Sequence, residues 1–359
     1  MARPRRSPSR WLWPVLALAA FLLASCSSTG VPWPGISADS ERAYVAFGQA
    51  VFAIHLSNGQ EAWRFPVEKP ARDQLFYAAP ALTDSGLVIA GGYDHKVYAL
   101  SKDNGDLAWT FTGAQERIVG APVASGDVVY VPVADGTLFA LGVSDGVEQW
   151  SFHADGALWS APLVVDDHIY IGTLTHKVYA LSLEGDVLWT RDVGGAIAEP
   201  PSIVDDTLLI GALGQPLRAL DPKTGEERWT AASAQWIWAG AVSGDGTAYF
   251  GDLGGRLAAA SVADGAILDE VQLDGAITGR PALDATHLYV ATEIGTVRAL
   301  SLDGFVSAWT QPVPSGKLYG PLHLQGDTLI VGVVGRNLDV AAFDASSGTL
   351  RWTYPAANR

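Results

Sequence analysis

Seven of the thirteen tryptophans of this chain stand on a ladder: Trp63, Trp109, Trp150, Trp189, Trp229, Trp309 and Trp352. The steps are 46, 41, 39, 40, 80 and 43 residues, and inside the double step Asp269 occupies the place of a missing rung. A unit of about 40 residues that recurs with a tryptophan signature belongs to repeat architectures, in which each unit buries its apolar faces against its neighbours. Three further landmarks keep the same period. A glycine stands four residues before the rung (Gly59, Gly105, Gly146, Gly185, Gly225, Gly265, Gly348), and five before it at Gly304. An alanine lies about ten before it (Ala53, Ala99, Ala140, Ala180, Ala219, Ala259, Ala299, Ala342). A proline lies roughly 28 before it (Pro34, Pro80, Pro122, Pro162, Pro201, Pro281, Pro321), with Ala241 substituting once. The landmarks agree on eight copies.

Each copy reads as four short strands. In the third they are expected at Ala121–Ala124, Asp127–Val131, Thr137–Leu141 and Val147–Phe152, runs of Val, Tyr, Phe and Leu separated by Ser-Gly-Asp, Asp-Gly and Ser-Asp-Gly turns. The glycine before the last strand supplies the positive φ of a tight hairpin. The alanine permits close approach of sheets. The tryptophan offers an apolar face to the next unit and an indole N–H for a backbone carbonyl. One such sheet cannot bury both faces, whereas eight arranged radially can. The expected fold is therefore all-β, an eight-bladed β-propeller of four-stranded antiparallel blades.

The segment Asp94-His95-Lys96-Val97-Tyr98-Ala99-Leu100, followed by Asn104-Gly105-Asp106-Leu107-Ala108-Trp109, resembles the repeat of the PQQ-type (quinoprotein-like) eight-bladed propellers. His176–Leu181 with Gly185–Trp189 is a second close match, and the resemblance spans about residues 33 to 355. The family includes PQQ-dependent dehydrogenases, the BamB lipoproteins of outer-membrane barrel assembly and other envelope lipoproteins. The resemblance thus specifies the fold far more than the function. A PQQ dehydrogenase would bring a vicinal disulfide, a calcium site and long loop insertions. This chain has no adjacent cysteines, no Asp-x-Asp-x-Asp loop and repeats close to 40 residues. Its seven histidines show no metal-ligand spacing, and His95 and His176 occupy equivalent turns. The expectation is a chain that is not an enzyme, with no cofactor, metal or catalytic residue.

Arg3, Arg5, Arg6 and Arg10 precede an apolar stretch, Trp11 to Leu23, too short for a stable membrane span and read as a signal peptide over residues 1–25. It ends Leu23-Ala24-Ser25-Cys26, the pattern of a bacterial lipobox, so Cys26, the only cysteine, is the expected lipidation site. Residues 26–32 form a short tether and residues 33–359 the propeller. Ser27 favours the outer membrane in a diderm host; otherwise the outer face of the cell membrane is expected. Without the four arginines of the signal, 19 basic residues face 38 acidic ones, which disfavours nucleic acid. The membrane is then reached through the lipid, and a protein partner in the envelope is expected for a monomeric propeller.

The connections between successive blades differ most among repeats. Phe65 to Ala79 is the longest, and others contain Trp159, Trp236, Trp238, Arg280 and Tyr319. Together with Tyr77 these residues form the candidate binding face at the mouth of the central channel, since Tyr, Trp and Arg dominate interaction hot spots. Trp236 and Trp238 alternate by two and are expected on one face of a strand. Glu199-Pro200-Pro201 and Arg117 to Val119 lead into the same channel. The seven ladder tryptophans are expected to be structural. The reading is a non-catalytic, membrane-anchored scaffold of the BamB kind. The alternatives are an extracytoplasmic ligand- or glycan-binding lipoprotein and a PQQ-dependent dehydrogenase. Two ring closures remain open: the segment around Trp33 completes the last blade, or the final strand through Tyr354 ends it unaided.

Overall fold

The computed structural model describes residues 33–355; the signal segment and Cys26 lie outside the described residues. Eight four-stranded sheets follow one another, each with its strands paired in chain order. They cover residues 35–65, 81–111, 123–153, 163–192, 202–231, 242–272, 282–312 and 322–354, and all pairings are antiparallel, as in blade three. The eight sheets form a β-propeller, and the first strands of successive blades lie side by side around its axis. In blade three the expected first strand shifts to Val123–Ser125. Pro122 has no N–H to give a ladder, so pairing starts after it.

Burial follows position in the blade. The second and third strands of blade three, Val128–Pro132 and Thr137–Gly142, are buried almost throughout, while the fourth, Glu148–His153, is largely exposed. Middle strands covered on both faces read as continuous apolar runs, which is why strict alternation is weak here. The core is divided among the junctions: Tyr130, Leu138 and Ala140 of blade three pack with Ile169, Ile171 and Tyr179 of blade four.

The ladder is the fastener of these junctions. Every landmark alanine is the cross-strand partner of the rung residue, from Ala53 opposite Trp63 to Ala342 opposite Trp352, and a bulge follows it in every blade. A methyl group beside the indole leaves the ring free to lean over the next blade. There the indole lies against the next glycine: a Cβ at Gly265 would stand 2.5 Å from Trp229 Cε3. Its Nε1 donates to a carbonyl of that blade, from Trp63 to Lys102 O at 2.9 Å through Trp229 to Val262 O at 2.7 Å and Trp309 to Ala345 O at 2.8 Å.

Asp269 breaks the pattern, and Phe305 of blade seven answers it. Phe305 is buried with Tyr249 and Leu257 of blade six and with Ile277 of the connector that follows it, its ring 6.2 Å from Tyr249. In blades four and seven the equivalent tyrosines instead meet the ladder ring of their own blade, Tyr170 with Trp189 and Tyr289 with Trp309.

Ring closure is settled by side chains. Blade one and blade eight are each built from their own four consecutive strands. Trp352 donates to Leu56 O at 2.6 Å and covers Gly59, so the last rung docks on the first blade. Arg64 donates to the Tyr354 hydroxyl at 2.7 Å, and Tyr354 packs on Phe52 with ring centroids 5.0 Å apart. The final strand through Tyr354 ends the ring unaided.

The meander gives the disc two unlike faces. One carries the first and third hairpins of every blade, and each first hairpin holds an aspartate: Asp39, Asp84, Asp127, Asp166, Asp205, Asp245, Asp284 and Asp327. Turn chemistry selects them, as Asp39 and Asp284 accept the backbone N–H of Glu41 and Thr286 at 2.9 and 2.7 Å. The other face carries the second hairpins and the connectors.

Candidate functional site: the connector face and the axial cavity

Each connector crosses from an outer strand to the next inner strand and drops one apolar side chain into the junction: Phe76, Ile118, Leu158, Ile197, Ile237, Ile277 and Leu318, all buried. The carbonyl just before this anchor accepts an N–H from the following blade, as Leu75 does from Tyr93 at 2.8 Å and Trp236 from Leu253 at 3.0 Å. The residue just after it is held at the rim of the channel. At that one position stand Tyr77, Trp159, Trp238 and Tyr319, alongside Val119, Ala198 and Thr278. Four of the six expected binding-face residues therefore share a single repeat position. The signal was present in the sequence: six anchors lie four residues before the landmark proline or its substitute Ala241, and Leu318 lies three before.

Trp236 and Trp238 require a correction. The fourth strand of blade five ends at Ala231, and both tryptophans lie in the connector beyond it. A segment crossing between strands cannot stay in a ladder. The alternation nevertheless holds, because Ile237 between them is the buried anchor while Trp236 is exposed and Trp238 half-buried.

Among the described residues, Trp33, Trp159 and Trp236 are the exposed tryptophans, at 40, 39 and 41%. All lie on the connector face. Trp33 meets Tyr319 with centroids 6.1 Å apart, so the first strand is entered from this face too. Tyr77 packs on Tyr93 at 4.3 Å, and the Arg117 guanidinium sits 5.6 Å over the Tyr93 ring. Burial pushes the Tyr93 hydroxyl up to about 12, so it stays a neutral donor. Lys317 pairs with Glu293 at 2.7 Å beside Tyr319. The candidates thus form a broken aromatic ring with interspersed cations.

Arg280 belongs to a different place. It lines an axial cavity of about 400 Å³ between the inner strands of blades four to seven, together with Leu163, Ser202, Ile203, Val242 and Leu283. Arg280 Cδ and Glu199 Cβ lie 3.8 and 3.9 Å from where a Cβ of Gly240 would stand, so a glycine keeps the gap between them open. Glu199, Arg280 and His323 are each half-buried. Burial raises the Glu199 carboxyl to about 7, partly offset by Arg280. Burial, with Arg280 nearby, lowers His323 to about 4. Arg280 is itself shifted down by burial, with Glu199 opposing.

The sequence profile described as Outer membrane protein assembly factor BamB matches residues 47–212, 157–235 and 213–359. The chain belongs to this family. The Outer membrane protein assembly factor BamB of Legionella pneumophila (strain Paris) is 29% identical over 237 residues, covering 63% of this chain and 50% of that protein. The chain therefore spans about half the length of this curated BamB relative. The crystal structure of BamB from Moraxella catarrhalis superposes with a TM-score of 0.68 at 21% identity, over 86% of this chain and 92% of that one. The computationally designed Ika8 protein gives 0.73 at 15% identity, over 89% and 95%. A europium-containing methanol dehydrogenase gives 0.69 at 14%, over 84% and 82%. At such identities the likeness is one of fold alone, shared by an assembly factor, a designed ring and an enzyme.

The enzyme among these neighbours invites a test of the axial residues. Among the described residues no group of three or more His, Cys, Asp or Glu converges on one point. The side chains that line the cavity are apolar except for those of Arg280, Ser202 and Ser243. That donor set does not fit a metal-bound quinone.

Proposed function

We propose that this BamB-family chain is a non-catalytic scaffold of the bacterial cell envelope, lipid-anchored through Cys26, that serves outer-membrane protein assembly through its connector face. The observation behind this reading is the aromatic ring of Tyr77, Trp159, Trp238 and Tyr319, set by one repeat position around one rim. Rigid aromatic side chains rimmed by polar groups are what a protein partner grips most tightly. The placement of Trp33 agrees. It lies seven positions after Cys26, at most about 25 Å of chain, so a lipid there would hold the connector face near the bilayer. The acidic hairpin face would then point away from anionic headgroups.

The test is affinity purification from cells with the anchor intact, comparing the parent chain with a Trp159→Ala, Trp238→Ala double variant. The expected result is capture of a barrel-assembly protein by the parent and its loss from the variant at unchanged melting temperature. Undiminished capture by the variant would overturn the assigned face. Capture of no protein at all would favour the ligand- or glycan-binding alternative, for which stacked pairs such as Tyr77 and Tyr93 offer platforms.

A further inference from the structure

We infer that the axial cavity between blades four and seven is a binding site for a small apolar monocarboxylate, whose carboxylate is held by Arg280 and the Ser202 hydroxyl. This site is independent of the protein-binding role of the connector face. Two polar groups there have no protein partner. The Ser202 hydroxyl belongs to a side chain only 5% exposed, yet its Oγ meets no hydrogen-bond partner. Arg280 likewise donates to no protein acceptor among the described residues, whereas Arg228, Arg298 and Arg351 each pair with an aspartate at 2.6 to 2.7 Å. Leaving such groups unsatisfied costs free energy that a bound anion would offset.

The repeat shows that the blades do not need them. At the position of Arg280, just before the landmark proline or Ala241, the other blades place Trp33, Ala79, Ala121, Ala161, Pro200, Gly240 and Gly320, none of them charged. At the position of Ser202 they place Gly35, Ala81, Val123, Leu163, Val242, Ala282 and Leu322. An arginine among uncharged residues and a serine among apolar ones therefore line one cavity of about 400 Å³. This volume lies in the range of small-molecule sites.

The chemistry of the ligand follows from the wall. One unpaired guanidinium matches one carboxylate in its planar fork geometry. A second negative charge would find no second cation and would face Glu199. Leu163, Ile203, Val242 and Leu283 supply the apolar part of the lining, against which a hydrocarbon body would rest. The charged and titratable groups around Arg280 are Glu199 and His323. The imidazole, lowered to about 4, stays neutral near pH 7. Glu199, raised to about 7, is neutral below that pH and anionic above it, where it would neutralise Arg280 and repel the ligand.

Phenylacetate titrated by calorimetry into the full chain in nonionic detergent tests this, with phenylacetamide as the neutral control. Saturable binding at about pH 6 is expected, weakened at least about tenfold by Arg280→Met and several-fold by Ser202→Ala, with phenylacetamide about tenfold weaker than phenylacetate. Affinity should fall from about pH 6 to about pH 8 in the parent and stay level in Glu199→Gln. Thermal melting of Arg280→Met checks its fold. Should that variant unfold, Ser202→Ala and the pH comparison decide. Equal binding of acid and amide, binding indifferent to Ser202→Ala and to pH, or no saturable binding at millimolar phenylacetate would each overturn the assignment.

Discussion

Seven of the eight blade junctions are fastened by an indole leaning on a glycine, and the junction between blades six and seven is fastened from the opposite side. Where Trp229 of blade five lies against Gly265 of blade six, Asp269 of blade six offers nothing to Gly304, whose nearest neighbour would be 3.9 Å away from a Cβ. Phe305 fills the gap, and the extra residue between Gly304 and Trp309 gives its loop the length to do so. Phe305 adopts a φ of 47°, an unfavourable conformation for an aromatic residue. That costs roughly 1–2 kcal/mol, against roughly 1.5–3 kcal/mol from burying the ring. The balance is narrow but favourable. Filled volume at the junction, rather than the identity or origin of the side chain that fills it, is what the fold demands.

The sharpest way to break this comparison is to empty each junction in turn. Trp229→Ala removes a buried indole and its bond to Val262, and should cost about 3–5 kcal/mol, read as a drop in the denaturation midpoint. Phe305→Ala should cost about 2–3 kcal/mol although Phe305 belongs to a loop, because its ring is core. A loss under about 0.5 kcal/mol, ordinary for a surface position, would refute the substitution of Phe305 for a rung. Gly265→Ala should destabilise more than Gly304→Ala. Both glycines have φ near 70°, so the strain of about 1–2 kcal/mol is shared and the difference isolates the indole contact. The smallest effect should come from Asp269→Trp, which alone gains nothing because Phe305 already occupies the space. Combined with Phe305→Ala it should recover part of the loss, a coupling of roughly 0.5–3 kcal/mol in a double-mutant cycle.

Much of this was legible in the sequence, and the remainder was hidden for identifiable reasons. Blade number, strand order and the glycine hairpins all follow from residues near one another in each repeat. Ring closure did not, because Trp352 and Leu56 lie at opposite ends of the propeller sequence and only the closed circle brings them together. Phe305 looked like an unremarked loop residue, since periodicity is blind to a side chain that arrives from the next blade. The aromatics Tyr77, Trp159, Trp238 and Tyr319 were visible one by one. Their common position emerged only once the buried anchors beside them were known. Alternation by two reads as a strand at Trp236 and Trp238, and an anchored connector produces the same pattern. In the sequence Arg280 stands with the connector aromatics, whereas its place beside Glu199 across Gly240 depends on how three connectors meet at the axis.

The connector face is the centre of the functional account, and site-specific photo-crosslinking in living cells tests it most directly. A photoreactive residue would replace Trp159 or Trp238 on the connector face, and Asp145 or Asp264 on the hairpin face, in the full anchored chain. The account predicts a discrete crosslinked protein from the two connector positions and none from the two hairpin positions. Crosslinks to the same protein from Asp145 or Asp264, with the connector positions silent, would contradict it.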